Sequence, residues 1–232
     1  MRTEHPKMIK LSAYRLPDYL IEETHLTFEL HESYALVHAR LVMQRNPSLD
    51  THLPPLVLDG QKLELIDINL NGERLSAMEY TVTDKHLTLQ PTTIEFELDT
   101  TVRIEPQNNT ELEGLYKSSG MFCTQCEAEG FRKITYYLDR PDVMSRFTTT
   151  IFADKQNYPI LLSNGNPIAQ GEDDDGRHWV TWEDPFKKPA YLFAVVAGDL
   201  WCVEDSFTTM SGRDVALRIY VEPENIDKCQ HA

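Results

Sequence analysis

The sequence has little of what would anchor it in a membrane or brace it with disulfides. It contains 4 cysteines in 232 residues, which is not the density of a disulfide framework. No uninterrupted apolar run reaches about 18 residues, the length at which a membrane-spanning helix becomes a candidate. The segment from Met1 to Leu11 carries charges and Pro6 but lacks the apolar stretch of a signal peptide. We therefore expect no membrane association and a location in the reducing cytoplasm.

Positive charge is also scarce. The chain has 22 lysines and arginines against 37 aspartates and glutamates, which gives a formal net charge of -15. An acidic surface repels phosphate backbones, so we expect no nucleic-acid partner. Solubility explains much of such a charge. The same field favours cationic partners, and the free N-terminus of a peptide is one of them.

Helical periodicity is nearly absent. Its best candidate is one short turn at Pro141–Ser145, where a proline near the start costs no hydrogen bond. Alternation with a period of two is common instead, and it predicts strands with one buried face and one solvated face. The alternating runs are Leu26–Leu30, Ile66–Leu70, Ile94–Leu98 and Val215–Val221.

Short turn signals separate these runs. Asn71-Gly72 and Ser211-Gly212 each follow an apolar stretch and predict hairpins. The acidic segment Glu172–Gly176 lacks the ligand spacing of an EF-hand and is predicted to be the tip of another hairpin. The continuous apolar run Tyr191–Ala197 predicts a central strand that is buried on both faces.

These patterns predict the fold class. Strands recur with short turns and no long helix separates them, which favours an all-β, mainly antiparallel, multi-sheet or sandwich domain with little helix. A hydrophobic content of 41% is enough for a packed core. We expect residues 1–232 to form a single domain, because chains of this length are common among all-β folds.

Residues 120–142, GMFCTQCEAEGFRKITYYLDRPD, are the most informative stretch. Cys123 and Cys126 could be half of a zinc site, but Cys202 and Cys229 are too widely spaced to supply the other half. They could form a redox pair, but nearby carboxylates disfavour a thiolate. We favour the interpretation that both are small residues in a packed loop.

The same stretch is predicted to be a loop that presents Gln125, Glu127 and Glu129. In an extended segment residues i and i+2 lie on one face, which would place Gln125 and Glu127 together. A carboxylate beside a neutral carbonyl suits a free α-ammonium, because both accept N–H hydrogen bonds. A solvated loop with polar side chains is the alternative that the residues alone leave open.

Catalytic motifs are missing. His31-Glu32 is followed by Ala35 where a zinc-binding H-E-x-x-H motif needs its second histidine. No Ser-His-Asp arrangement, phosphate-binding loop or dinucleotide fingerprint is present. We therefore expect no catalytic residue and no metal ligand in this chain.

The stretches 112–166, 179–186, 191–199 and 211–213 resemble the N-terminal domain of the aminopeptidase N family of zinc exopeptidases. The resemblance is strongest from LEGLY at 112–116 through the Cys-x-x-Cys segment to LSNGN at 162–166. It implies a saddle-shaped, mainly antiparallel β domain that packs over a thermolysin-like catalytic domain of the same polypeptide. It also implies that Gln125 and Glu127 help bind the α-amine of a peptide substrate.

The resemblance places zinc and its ligands in the following domain, so this chain should hold no metal and be inactive alone. Residues 223–232 would then begin the linker to that domain, and the chain would be cut at a domain boundary. Two other functions remain open: a stand-alone β-sandwich binding module, and a redox or zinc protein that uses Cys123 and Cys126.

Overall fold

The computed structural model describes residues 10–231, and in this part of the chain the fold is built from strands. The strands are β1 Tyr19–Leu30, β2 Ala35–Arg45, β3 Leu56–Asp59, β4 Glu64–Leu70, β5 Glu73–Arg74, β6 Tyr80–Val82, β7 His86–Leu89, β8 Glu95–Ile104, β9 Gly114–Ser118, β10 Met121–Gln125, β11 Met144–Asp154, β12 Ile160–Ser163, β13 Asn166–Glu172, β14 Arg177–Pro189, β15 Val195–Gly198, β16 Trp201–Thr208 and β17 Asp214–Val221. The helices are short 3₁₀ segments at Leu11–Ala13, Pro106–Asn108, Phe131–Lys133, Ala190–Leu192 and Pro223–His231. The predicted all-β class is confirmed.

The largest sheet has eight strands in the order β13-β14-β11-β1-β2-β8-β4-β5. All of its pairs are antiparallel except β1 with β11, which run parallel. Leu26, Phe28 and Leu30 of β1 are each at most 2% exposed, as the alternation predicts. Strand β1 lies in the interior of this sheet, so its buried face forms the centre of the core.

Two smaller sheets complete the core. One has the order β12-β15-β10-β9 and the other the order β3-β7-β6. Their buried side chains join those of the large sheet in one continuous cluster. Four aromatic rings meet there: Phe131 lies 4.7 Å from Tyr137 and 5.2 Å from Phe193, and Phe147 lies 5.6 Å from Phe193 between ring centroids.

The predicted hairpin turns are confirmed. Asn71 and Gly72 join β4 to β5 with φ angles of 53° and 79°, the left-handed pair that a two-residue hairpin requires. Ser211 and Gly212 lie in the turn between β16 and β17. The acidic residues 173–175 form the tip between β13 and β14.

The helical turn predicted at Pro141–Ser145 is wrong. Pro141 and Asp142 form a tight turn, and β11 begins at Met144. Arg140 donates two hydrogen bonds to the carboxylate of Asp142, at 2.8 and 2.7 Å, and braces the turn. Pairing of β11 with β14 then continues the chain as a strand rather than a helix.

The strand predicted at Tyr191–Ala197 is wrong in its first half. Ala190–Leu192 is a 3₁₀ helix closed by the hydrogen bond from Phe193 N to Ala190 O, and β15 begins only at Val195. Leu192 is 51% exposed. An apolar run alone does not distinguish a strand from a short helical turn. The second half is central as predicted, since β15 lies between β12 and β10.

The alternating run Val215–Val221 forms a strand, but the prediction that one of its faces is buried is wrong. Strands β16 and β17 form a separate two-stranded sheet, and no residue of either strand is buried. The other runs depart only locally: Ile66 is 47% exposed beside a register shift, and Ile94 precedes β8 and is 49% exposed.

The two ends of the chain extend past the described residues. The prediction for Met1–Leu11 falls mainly on residues 1–9, which lie outside them, as does Ala232. Among the described residues, no helix is both long enough and apolar enough to span a membrane.

Candidate functional site

The candidate site begins at the end of strand β10. The expectation that residues 121–125 form a loop is wrong, because they pair with β9 on one side and β15 on the other. Phe122 is fully buried against Tyr158, with ring centroids 5.1 Å apart. The strand ends at Gln125, which is exposed and paired with Gly114.

A tight turn follows at residues 126–130. Cys126 is buried, Glu127, Ala128 and Glu129 are exposed, and the N–H of Gly130 donates to the carbonyl of Cys126 at 2.8 Å. The Glu127–Ala128 peptide bond is cis.

Gly130 is required by close packing. A Cβ there would lie 2.4 Å from the backbone oxygen of Gln125 and 2.9 Å from the nitrogen of Gly114. Because both contacts are to backbone, neither can yield easily, and a larger residue would displace the turn from the end of β10. The glycine therefore allows the turn to close directly over the β9–β10 hairpin.

Gln125 and Glu127 are adjacent, but not for the predicted reason. The strand ends at Gln125, so the two residues do not share a strand face. Instead the Gln125 side-chain nitrogen donates to the backbone oxygen of Glu127 at 3.3 Å. Within the described residues, the Gln125 side-chain oxygen and the Glu127 carboxylate have no hydrogen-bond or ion-pair partner. The turn thus presents two unused acceptors, one neutral and one anionic.

Arg132 and Asp139 lie beneath this turn and were not identified from the sequence. Asp139 is 5% exposed and accepts hydrogen bonds from Arg132 Nε at 2.9 Å and from the Arg132 backbone N–H at 3.2 Å. Burial raises the pKa of the Asp139 carboxyl, and the neighbouring guanidinium of Arg132 opposes that rise. The sequence offers one signal for this pair: Asp139 directly follows the apolar residues 136–138. A carboxylate that is buried with such a segment usually has a charged partner.

Lys133 lies next to Arg132 in the 3₁₀ helix Phe131–Lys133 and forms ion pairs with other residues. Lys133 binds Glu111 and Glu113, and Lys62 also binds Glu111 at 2.8 Å. Hydrogen bonds from Lys133 and Lys62 lower the pKa of Glu111 to about 2. These contacts fix the other side of the helix that follows the turn.

The two cysteines of the Cys-x-x-Cys segment face different surroundings. Cys123 lies on β10 and Cys126 is 2% exposed, and both are free thiols. Burial raises the pKa of each thiol, and for Cys126 the nearby Asp139 adds to the rise. A raised pKa disfavours the thiolate that redox chemistry or zinc ligation needs. Over residues 10–231 no group of three or more His, Cys, Asp or Glu side chains is placed to hold a metal ion.

Comparison with protein families gives one match. The family model of the peptidase M1 N-terminal domain matches residues 26–192. Two curated relatives are similar over nearly the whole chain. Aminopeptidase N of Caulobacter vibrioides is 49% identical over 232 residues, and aminopeptidase N of Escherichia coli is 49% identical over 230 residues. They cover 100% and 99% of this chain, which spans 26% of each relative.

Solved structures agree with these matches. The crystal structure of Legionella pneumophila aminopeptidase A in complex with aspartic acid has a TM-score of 0.91 at 37% identity, covering 96% of this chain and 26% of that one. An M1 zinc metallopeptidase of Deinococcus radiodurans, bound to a Tyr-Ser-Ala substrate, has a TM-score of 0.73 at 16% identity. That match covers 89% of this chain and 48% of the other, and it shows a shared fold alone.

Proposed function

This chain belongs to the peptidase M1 N-terminal domain family, and we propose that it serves a zinc aminopeptidase that releases N-terminal amino acids from peptides. Its role there is to bind the α-ammonium of the substrate through Gln125 and Glu127 and to cap the active site. The observation that carries this proposal is the pair of unused acceptors at the end of β10.

The chemistry of an ammonium group fits these two acceptors. A peptide α-ammonium that enters a closed cleft loses water, and an anion must offset that loss. The Glu127 carboxylate supplies the anion, and the Gln125 side-chain oxygen accepts a further N–H. The hydrogen bond from the Gln125 nitrogen to the Glu127 backbone supports this assignment, because it occupies the amide nitrogen and leaves the amide oxygen as the free acceptor.

Catalysis is proposed to lie outside this chain. The chain spans about a quarter of the length of its curated relatives, so a catalytic domain on the same polypeptide would supply the zinc and its ligands. The described residues do not fit a zinc site, and we derive no step through the metal. We expect the purified chain to show no hydrolysis of an aminoacyl anilide.

Docking onto the catalytic domain is the second part of the proposal. Residues 1–232 would form the N-terminal domain, and residues 223–232 would begin the connection to its neighbour. The β16–β17 sheet supports a packed neighbour, because Trp201 and Phe207 are 56% and 59% exposed and exposed aromatic side chains are typical of interfaces. The four free thiols support a cytoplasmic location.

The test uses the full-length protein that carries this chain. Losing one partner of a desolvated charge pair costs about 2–5 kcal/mol, so Glu127→Ala should lower kcat/KM by about 30-fold to several thousand-fold. Glu127→Gln keeps the shape without the charge and should also be impaired.

Glu129→Ala is the matched control. It removes a carboxylate from the same turn, but Glu129 already contacts Arg132 at 3.7 Å, so its effect should be milder. Zinc content should be unchanged in all three variants. Equal kcat/KM for Glu127→Ala and wild type would show that the amine is bound elsewhere.

A further inference from the structure

The turn that carries Glu127 is anchored by one cation, Arg132. Its backbone N–H and Nε donate to the buried carboxylate of Asp139, and its Nη2 donates to the Asp139 carbonyl at 3.1 Å. Its own carbonyl accepts from the Gln61 N–H at 2.9 Å. The Arg132 side chain is only 14% exposed. Two residues after Gly130, Arg132 is therefore fixed to two other segments by four hydrogen bonds, two through its backbone and two through its side chain.

The same guanidinium distributes the negative charge around the turn. Arg132 Nη1 lies 3.7 Å from Glu129 and 3.7 Å from Asp59, while Nε binds Asp139. Three carboxylates thus share this cation. Glu127 does not: its carboxylate has no partner in the part of the chain that the structure describes. One turn holds two exposed glutamates, and the arrangement of Arg132 makes them different.

We propose that Arg132, fixed by Asp139, is the positioning residue of the amine site: it anchors the turn and occupies Glu129, so that Glu127 is left free for the ammonium. This inference rests on the proposed function of Gln125 and Glu127. Arg132 acts through Glu127 and is not proposed to touch the substrate.

Removal of Arg132 has two physical consequences. Asp139 would remain buried without its cation, which is costly and would draw water or a proton into the base of the turn. The turn would lose its fixed end, and a displacement of about 1 Å of a binding group can reduce its effect about a hundredfold. Glu129, at 64% exposure, makes a weak surface contact, so most of the loss should come from the anchoring.

The experiment measures selectivity for the amine in the full-length protein. The probes are leucine hydroxamate and its des-amino analogue, 4-methylpentanehydroxamic acid, as competitive inhibitors. The ratio is the inhibition constant of the des-amino compound divided by that of leucine hydroxamate. It reports the contribution of the amine site, because the two inhibitors differ only in the ammonium. Arg132→Gln should lower this ratio by about tenfold, which corresponds to the coupling usual within one hydrogen-bond network. Inhibition by the des-amino compound should be unchanged.

A double-mutant cycle separates positioning from general damage. If Arg132 acts through Glu127, Arg132→Gln should have no further effect on the ratio in a Glu127→Gln background. An equal effect in both backgrounds, or equal weakening of both inhibitors, overturns the proposal. If Glu127→Gln does not alter the ratio, the proposed function fails. If Glu127→Gln lowers the ratio but Arg132→Gln does not, the role of Arg132 is wrong and the proposed function of Glu127 stands.

Two more variants control for folding. Lys133→Gln removes the neighbouring cation of the same 3₁₀ helix, whose partners Glu111 and Glu113 lie outside the turn, and it should leave the ratio unchanged. Arg132→Lys keeps a cation against Asp139 but cannot also reach Glu129, since it has one ammonium. It should fold and give an intermediate ratio. A wild-type ratio in folded Arg132→Lys would also overturn the proposal.

Discussion

Strands β1 and β17 carry the same alternating pattern and end in opposite situations. Leu26, Phe28 and Leu30 of β1 are at most 2% exposed, whereas Leu217 of β17 is 44% exposed. Strand β1 lies between β2 and β11 and faces the core cluster, but β17 pairs with β16 alone in the described chain. Alternation therefore identifies the apolar face of a strand, but that face is buried only where a second layer covers it.

The ion pairs of the core region and of the β16–β17 sheet also differ in burial. Arg132 and Asp139 are 14% and 2% exposed in their side chains, whereas Arg218 and Glu204 of the β16–β17 sheet are 52% and 68% exposed. Both pairs have an Nε–oxygen distance of 2.9 Å. Solvent screens the second pair and not the first, so equal geometry does not mean equal energy.

The largest expected difference between the two regions is in the loss of a phenylalanine. Phe147→Ala on β11 empties a site in the aromatic cluster and should lower the free energy of unfolding of the 232-residue chain by about 3–5 kcal/mol. Phe207→Ala on β16, at 59% exposure, should change it by less than about 0.5 kcal/mol. Denaturant unfolding measures both.

The same substitution in the full-length protein tests whether the β16–β17 sheet is covered there. If a downstream domain covers the β16–β17 sheet, Phe207→Ala should cost more there than in the 232-residue chain, because its ring would become buried. An equal and negligible cost in both proteins would show that the sheet remains uncovered.

The second largest difference concerns the two ion pairs. Asp139→Asn removes the anion of a pair that is shielded from water and should cost about 2–3 kcal/mol of unfolding free energy. Glu204→Gln removes the anion of an exposed pair and should cost less than about 1 kcal/mol. Urea unfolding of both variants decides this, and similar losses would contradict the role assigned to burial.

The smallest expected effect is on pH dependence. Lys133 and Lys62 lower the pKa of Glu111 from 4.5 to about 2. Because the folded pKa lies below the unfolded value, the contribution is complete above pH 4.5 and is lost as the pH falls toward 2. The side chain is 44% exposed, so the contribution is screened and should be about 1 kcal/mol or less.

Glu111→Gln isolates this contribution. The unfolding free energies of wild type and variant should differ most at about pH 6, and the difference should shrink below pH 4.5 and disappear only as the pH approaches about 2. A difference that stays constant across this range would mean that the Glu111 carboxylate has no such linkage to folding.

Much of the fold could be predicted from local pattern. Alternation identified most of β4 and parts of β1 and β8, and paired turn residues identified the hairpins. Strand β10 was missed because it has neighbours on both sides and buries only Phe122 completely, so its residues do not alternate. The parallel pairing of β1 with β11 has no local signal, since parallel strands are joined by long connections.

The candidate site was predictable only in part. The spacing of Gln125 and Glu127 and the family resemblance suggested the pair, and its role in amine binding stays a prediction. Arg132 and Asp139 were missed because their contact depends on the reversal of the chain after Phe131, and a charge in sequence does not reveal whether it will be buried. Residue types can suggest a ligand, but the supports of a site are decided by tertiary packing.

The parallel pairing of β1 with β11 also has a consequence for the order in which the chain can fold. Glu23 meets Arg146, and these residues are 123 positions apart. During synthesis β1 can pair with β2 early, but its other edge has no partner until β11 has left the ribosome. Closing so long a connection slows folding, and an open, apolar strand edge invites pairing with other chains in the meantime. The nascent chain is therefore most vulnerable to aggregation between the emergence of β2 and that of β11.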